Sequence, residues 1–210
     1  MIDNNSEQKI LEVFTGLLDG IKTSAQSLTL EEVLTKSKPL TLELFSQNIH
    51  EYFYFITAQR VTKSFSTRLG TVIEKVSAVL VEAQGGYLVP GNPEPFDLKF
   101  IHPNGIEYWI EIKSINAQNS SNMQTIKERK KMTEGKNCQF YLCIYNDNTI
   151  NSDKFKLNGH DFWELVGGSS STWDNISSLV KGLGKNIKLQ EIIELKSQEL
   201  TKDYKDLFSV

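Results

Sequence analysis

Thirteen residues separate Asp97 from the tripeptide Glu111-Ile112-Lys113, a spacing that lets two adjacent strands bring two carboxylates and an amine to one point. Carboxylates held together repel unless a cation lies between them. A hard ion such as Mg²⁺ takes a few carboxylate oxygens and fills its shell with water and substrate phosphate oxygens. Asp97 and Glu111, with the backbone carbonyl of Ile112, are the candidate metal ligands. An ion held there stabilises charge developing on a phosphate and acidifies a bound water. The ammonium of Lys113, two residues along the same strand face, is the candidate group for assisting that water or a non-bridging phosphate oxygen. The chemistry this set suits is metal-assisted hydrolysis of a phosphodiester.

The surrounding sequence holds elements able to position these groups. Phe96-Asp97-Leu98-Lys99-Phe100-Ile101, a turn at His102-Pro103-Asn104-Gly105, and Ile106 to Lys113 read as a β-hairpin rich in β-branched and aromatic residues. Glu111 and Lys113 then share one face while Ile110 and Ile112 take the other. Upstream, Leu69, Val72, Ile73, Val76, Val79 and Leu80 form a stripe that predicts an amphipathic helix over 66–82. Glu74 lies off that stripe among Thr67, Gly70, Thr71, Ser77 and Ala78, small residues that allow its carboxylate a close approach to a neighbouring polar site. Gly85-Gly86 stops the helix, Tyr87-Leu88-Val89 makes a short strand, and a proline-rich loop over 90–95 leads to Asp97. Beyond Lys113, Ser121 and Gln124 fit an N-cap and capping box. A helix from about 122 to 134 carrying Lys127, Arg129, Lys130 and Lys131 follows, then an apolar strand from Cys138 to Tyr145.

The pattern Phe96-Asp97-x(13)-Glu111-Ile112-Lys113 resembles the active-site motif of the PD-(D/E)XK nuclease superfamily, and its surroundings are similar to type II restriction endonucleases. The resemblance covers residues 66 to 145. It departs at Phe96, where the family pattern has proline; Pro95 stands one position earlier. It implies catalytic roles for Asp97, Glu111 and Lys113, with Glu74 joining the metal site directly or through water. The implied cofactor is Mg²⁺, with Mn²⁺ able to substitute. The implied fold is α/β (α+β): a mixed central β-sheet flanked by helices, in a single domain over 1–210. Within it, 1–60 is a helical lobe, 66–145 the catalytic core and 146–210 a mostly helical extension. The implied partner is double-stranded DNA, cut at a defined sequence by a cytoplasmic, prokaryotic homodimer whose two-fold symmetry matches a palindrome. A junction resolvase or repair nuclease would share the same site. The exonuclease branch places Gln-x-x-x-Tyr on the following helix, whereas here Gln124 is followed by Glu128. A non-catalytic α/β interaction module remains the third class.

Composition bounds the alternatives. No apolar run approaches the roughly 20 residues of a membrane-spanning helix, and the polar N-terminus lacks a signal-peptide shape. Cys138 and Cys143 fall on opposite faces of one strand, and His50, His102 and His160 are scattered without ligand spacing. The net charge of −3 runs against nucleic-acid binding. However, residues 1–60 hold five basic and eight acidic side chains, so the remainder is balanced. The basic stretch from Lys127 to Lys136 reads as a solvated or phosphate-facing helix surface. Asn116, Gln118, Asn119, Asn122, Asn146, Asn148 and Asn151 are candidate base readers. Two further amphipathic helices, around Ile10 to Ile21 and Leu42 to Ile56, read as packing or subunit interface. An edge strand is expected at Phe155 to Leu157, a short helix at His160 to Gly168 and a final one at Leu189 to Phe208.

Overall fold

The computed structural model describes residues 2–37, 39–114, 120–149, 151–184 and 187–208, and has a mixed α/β fold. Eight helices are found among them: α1 Asn4–Gln26, α2 Leu30–Lys36, α3 Pro39–Leu44, α4 Ile49–Ala83, α5 Ser120–Thr133, α6 Gly159–Gly167, α7 Thr172–Gly184 and α8 Leu189–Phe208. The strands are β1 Tyr87–Leu88, β2 Leu98–Ile101, β3 Glu107–Lys113, β4 Cys138–Ile144 and β5 Lys156–Leu157, in the sheet order β1-β2-β3-β4-β5. The chain forms two compact units, one from residues 1–14 and 70–183, the other from 15–69 and 184–210.

The first unit contains the whole sheet. β2 and β3 pair antiparallel in the register Leu98↔Ile110, Lys99↔Trp109, through a turn in which Gly105 takes φ 82°. β3 and β4 pair parallel, Glu111 against Leu142 and Lys113 against Ile144, with α5 as the crossover that a parallel pair requires. Ile110, Phe100, Ile112, Cys143 and Ile144 are buried in the sheet, and Val76, Leu80 and Val81 are buried on α4. Trp163 on α6, 1% exposed, donates its indole N–H to the Tyr145 carbonyl at 3.1 Å. Asn158 is the N-cap of α6, accepting from the Asp161 N–H. That helix ends at Gly168, with φ 72°, where an added Cβ would meet Gln84 Oε1 at 2.7 Å. The Gln84 amide cannot swing away freely, since it donates to the Leu165 and Val166 carbonyls at 3.0 and 2.9 Å. Gly168→Ala should therefore destabilise the protein by about 1 kcal/mol or more, read as a lowered denaturant midpoint.

The second unit is helical. Leu28, Val33, Tyr52, Phe53 and Leu200 form its buried cluster, with Leu42, Phe45, Ile49, Ile56 and Tyr204 packed against it. The helix expected over Leu42 to Ile56 is broken: α3 ends at Leu44, and Asn48, whose side chain accepts the Glu51 N–H, restarts the helix as α4. No glycine or proline interrupts 49–69, so the helix expected at 66–82 is the C-terminal part of one continuous element. No helix among the described residues is long and apolar enough to cross a membrane. Asn116, Gln118 and Asn119 lie outside the described residues, as do the side chains of Ser121 and Asn122.

Candidate active site

Asp97 stands immediately before β2, where its backbone N–H donates to the Ile110 carbonyl at 3.0 Å and so continues the hairpin by one residue. Its side chain turns to the neighbouring strand. The Oδ2 atom accepts the Ile112 N–H at 2.6 Å. In an extended strand the N–H and C=O of one residue point to the same side, so the Ile112 carbonyl faces the side from which Asp97 approaches. The carboxylate and carbonyl singled out in the sequence thus meet beyond the end of β2.

Glu111 and Lys113 are neighbours on one face of β3, as the strand alternation requires, with Lys113 Nζ 2.6 Å from Glu111 Oε1. Their environments differ sharply. Glu111 is 3% exposed, whereas the Lys113 side chain is 40% exposed. A second cation meets Glu111 at that depth: Arg129 of α5 lies against its other oxygen, Oε2. A buried carboxylate without a cation would be strongly disfavoured.

Glu74, half-buried on α4, is held above the usual carboxylate range, chiefly by burial and then by the charge of Asp97, while Lys113 and Lys75 pull it down. Asp97 also reaches Cys143, the residue paired with Ile112. The Cys143 thiol is pushed well above its ordinary value by burial, with the Asp97 charge adding to it. Asp97, Glu74 and Lys113 therefore share one electrostatic neighbourhood, and Lys113 links it to Glu111. Among the described residues no three His, Cys, Asp or Glu side chains converge into a ready metal cage. Mg²⁺ does not need one: it binds through one or two carboxylates and keeps several water and substrate ligands. The donor set is oxygen-only, and a carboxylate disfavoured by a neighbouring carboxylate is one that a cation would relieve. Asp97 and Glu74 fit a hard divalent ion as they stand, and Glu111 would join them once Lys113 leaves its Oε1 for substrate.

The raised Glu74 gives a signed prediction. Between the usual carboxylate value and its raised folded value, the folded chain holds a proton that the unfolded chain has released, so stability falls as pH rises through that window. Glu74→Gln should remove this loss and raise the melting temperature at neutral pH in EDTA. With Mg²⁺ the order should change, because an ion bound only by the folded state stabilises it and the Gln variant binds that ion less well. Melting curves for both proteins across pH, with and without Mg²⁺, check both signs. A variant identical to wild type in both series would place Glu74 outside the site.

Arg129 is the site residue that the basic run concealed. Ile126, Arg129, Lys130 and Thr133 fall at the 0, 3, 4 and 7 positions of a helical stripe, and all four are at least half-buried, whereas Lys127, Glu128 and Lys131 are exposed. The stripe was visible in the sequence, although its charge disguised it. Asn148 is likewise engaged, its side chain accepting the His160 N–H at 2.9 Å. A scan against protein-family models and a search of curated proteins return no match to this chain.

Proposed function

We propose that this chain is a Mg²⁺-dependent endonuclease that hydrolyses phosphodiesters of double-stranded DNA at a defined sequence, in the manner of a type II restriction enzyme. The observation that carries the reading is the pairing of Asp97 Oδ2 with the Ile112 N–H at 2.6 Å. It brings the first carboxylate of the motif to the strand that bears Glu111 and Lys113. A divalent ion held by Asp97, Glu111 and the Ile112 carbonyl, with Glu74 directly or through water, would supply Lewis acidity to the scissile phosphate and acidify a water. Mn²⁺ could take its place.

The chain's own residues do the rest. Asp97 orients its carboxylate through the Ile112 N–H. Arg129 fixes the Glu111 carboxylate from the buried side. Lys113, the exposed member, presents an ammonium that can approach a substrate phosphate oxygen and favours charge building up there. Acting on both strands of a palindrome would take two copies, so the active form in this reading is a homodimer; the reading places it in a prokaryotic cytoplasm.

A second reading rests on Glu111 and its two cations. Lys113, Glu111 and Arg129 form a cation–carboxylate–cation set, and such sets also occur as structural elements of non-catalytic domains. Incubating long duplex DNA with the purified protein, with Mg²⁺ or with EDTA, separates the two. The nuclease reading expects discrete fragments with the ion only, and the structural reading expects intact DNA in both.

A further inference from the structure

A groove of about 430 Å³ in the first unit runs between the C-terminal half of α5, the start of β4 and the segment before β5. Lys130, Thr133, Glu134, Cys138, Phe140, Lys154 and Phe155 line it, and two of its cations sit at one aromatic ring. Lys130 Nζ lies 3.5 Å from the Phe155 ring centroid and Lys154 Nζ 5.6 Å from it. Beside the groove, Lys99 and Lys136 each hold an ammonium 4.4 Å from the Trp109 ring centroid. The two clusters adjoin at Cys138, a lining residue whose thiol is raised by burial and then by Glu107, with Lys136 and Lys99 opposing.

The nearby acids are largely engaged. Glu107 accepts the Trp109 indole N–H at 2.5 Å. Asp153 accepts the Phe155 N–H at 2.8 Å and pairs with Lys156 at 3.9 Å. Glu134 is the carboxylate left on the lining. Four lysines so placed repel one another, and phosphate oxygens would relieve that. Lysines alone would suit the outside of any nucleic acid. Rings interleaved with lysines suit one whose base faces are uncovered, because a base stacks on a ring only when it has left its own stack. A groove of this size is on the scale of a small-ligand pocket, with room for part of one strand rather than for a whole duplex. Trp109 is two residues before Glu111 on the same face of β3, so the groove approaches the candidate active site along one strand.

We infer that this groove binds an unpaired nucleic-acid strand, its phosphates on Lys130 and Lys154 with Lys99 and Lys136 flanking, and a base on the Phe155 ring face that Lys130 vacates as it turns to phosphate. For a nuclease, such a groove holds the strand that frays next to the cut; the inference rests on the proposed function in that respect.

The test uses the full chain in EDTA, where no cleavage competes, and a fluorescein-labelled mixed-sequence single strand of DNA read by anisotropy over a series of salt concentrations. A duplex of the same sequence is the comparison. Wild type should bind the single strand, and the groove variants should weaken that binding while leaving duplex binding in place. Lys130→Ala with Lys154→Ala should weaken single-strand binding at least tenfold and reduce the slope of log K against log salt by about 1.4, two phosphate contacts being lost. Phe155→Ala should weaken it about tenfold, and Phe155→Trp should restore it. An unchanged salt slope, a Phe155→Ala defect that tryptophan does not rescue, or a loss of duplex binding in these variants equal to their loss of single-strand binding would each overturn the inference. Melting curves confirm that the variants are folded. Failure of the groove with Mg²⁺-dependent duplex cleavage intact would sink the groove alone. Strand binding that obeys these rules in a protein that never cuts DNA would sink the nuclease reading instead.

Discussion

Asp97→Asn should abolish Mg²⁺-dependent cleavage while leaving the fold and DNA binding in place. The choice of asparagine follows from the hydrogen bond to the Ile112 N–H at 2.6 Å. Alanine would strand that donor beside β3 and cost about 1–3 kcal/mol, so a dead alanine variant could be a misfolded one. Asparagine keeps an acceptor oxygen and the side-chain shape and removes only the charge. Losing one of two or three carboxylate ligands removes most of the affinity for a hard ion, so cutting should fall by at least about 10³-fold, the scale of losing a main electrostatic group. DNA binding should hold or tighten, since a negative charge facing phosphate is gone. Near-normal cutting would remove Asp97 from the site. Glu111→Ala is a poorer test, because it leaves Arg129 facing a buried void where its counter-charge was.

The second large effect separates the two cations on Glu111. Arg129→Ala leaves a 3%-exposed carboxylate with Lys113 alone, and should destabilise the protein by about 3 kcal/mol, the usual scale for breaking a buried pair from one side. Lys113→Ala removes a partner whose side chain is 40% exposed. Solvent screens that pair, so stability should change by less than about 1 kcal/mol. Activity should invert the order of interest: Lys113→Ala, folded and able to bind Mg²⁺, should cut roughly 10²-fold more slowly. Urea denaturation beside single-turnover cleavage resolves both. If the stability losses were reversed, the buried anchor of Glu111 would have been assigned to the wrong cation.

The hairpin was legible because alternation, the turn at Asn104-Gly105 and the β-branched run all point one way, and β2 and β3 follow it. The α5 crossover was signalled by a polar loop with a capping pattern at Ser121 and Gln124, and β4 by its apolar run, so the mixed α/β fold and the juxtaposition of Asp97 with the Glu111 strand could be read from the sequence. The stop at Gly85, with φ 90°, is another local rule obeyed. Other features depended on tertiary surroundings. Arg129 belongs to an inward stripe in which a guanidinium takes an apolar residue's place, and only a buried carboxylate across from it makes that reasonable. The α7 helix was missed because its stripe of Trp173, Ile176, Leu179, Val180 and Leu183 follows a run of glycine and serine that reads as loop. The break between α3 and α4 turns on the single cap at Asn48, a choice that helix periodicity alone does not reveal. The small residues around Glu74 allow it a close approach to a polar site and the resemblance named which one, while the burial and the Asp97 charge that raise its carboxyl depend on the fold rather than on the pattern.

The most direct test of the account is cleavage of long bacteriophage DNA, which carries copies of most short recognition sequences, by the purified protein. The wild-type protein should produce discrete fragments with Mg²⁺ or Mn²⁺ and none in EDTA, and Asp97→Asn should leave the DNA intact under every condition. DNA left intact by a folded wild-type protein at high enzyme excess with both ions, or cut equally well by the Asn variant, would contradict it.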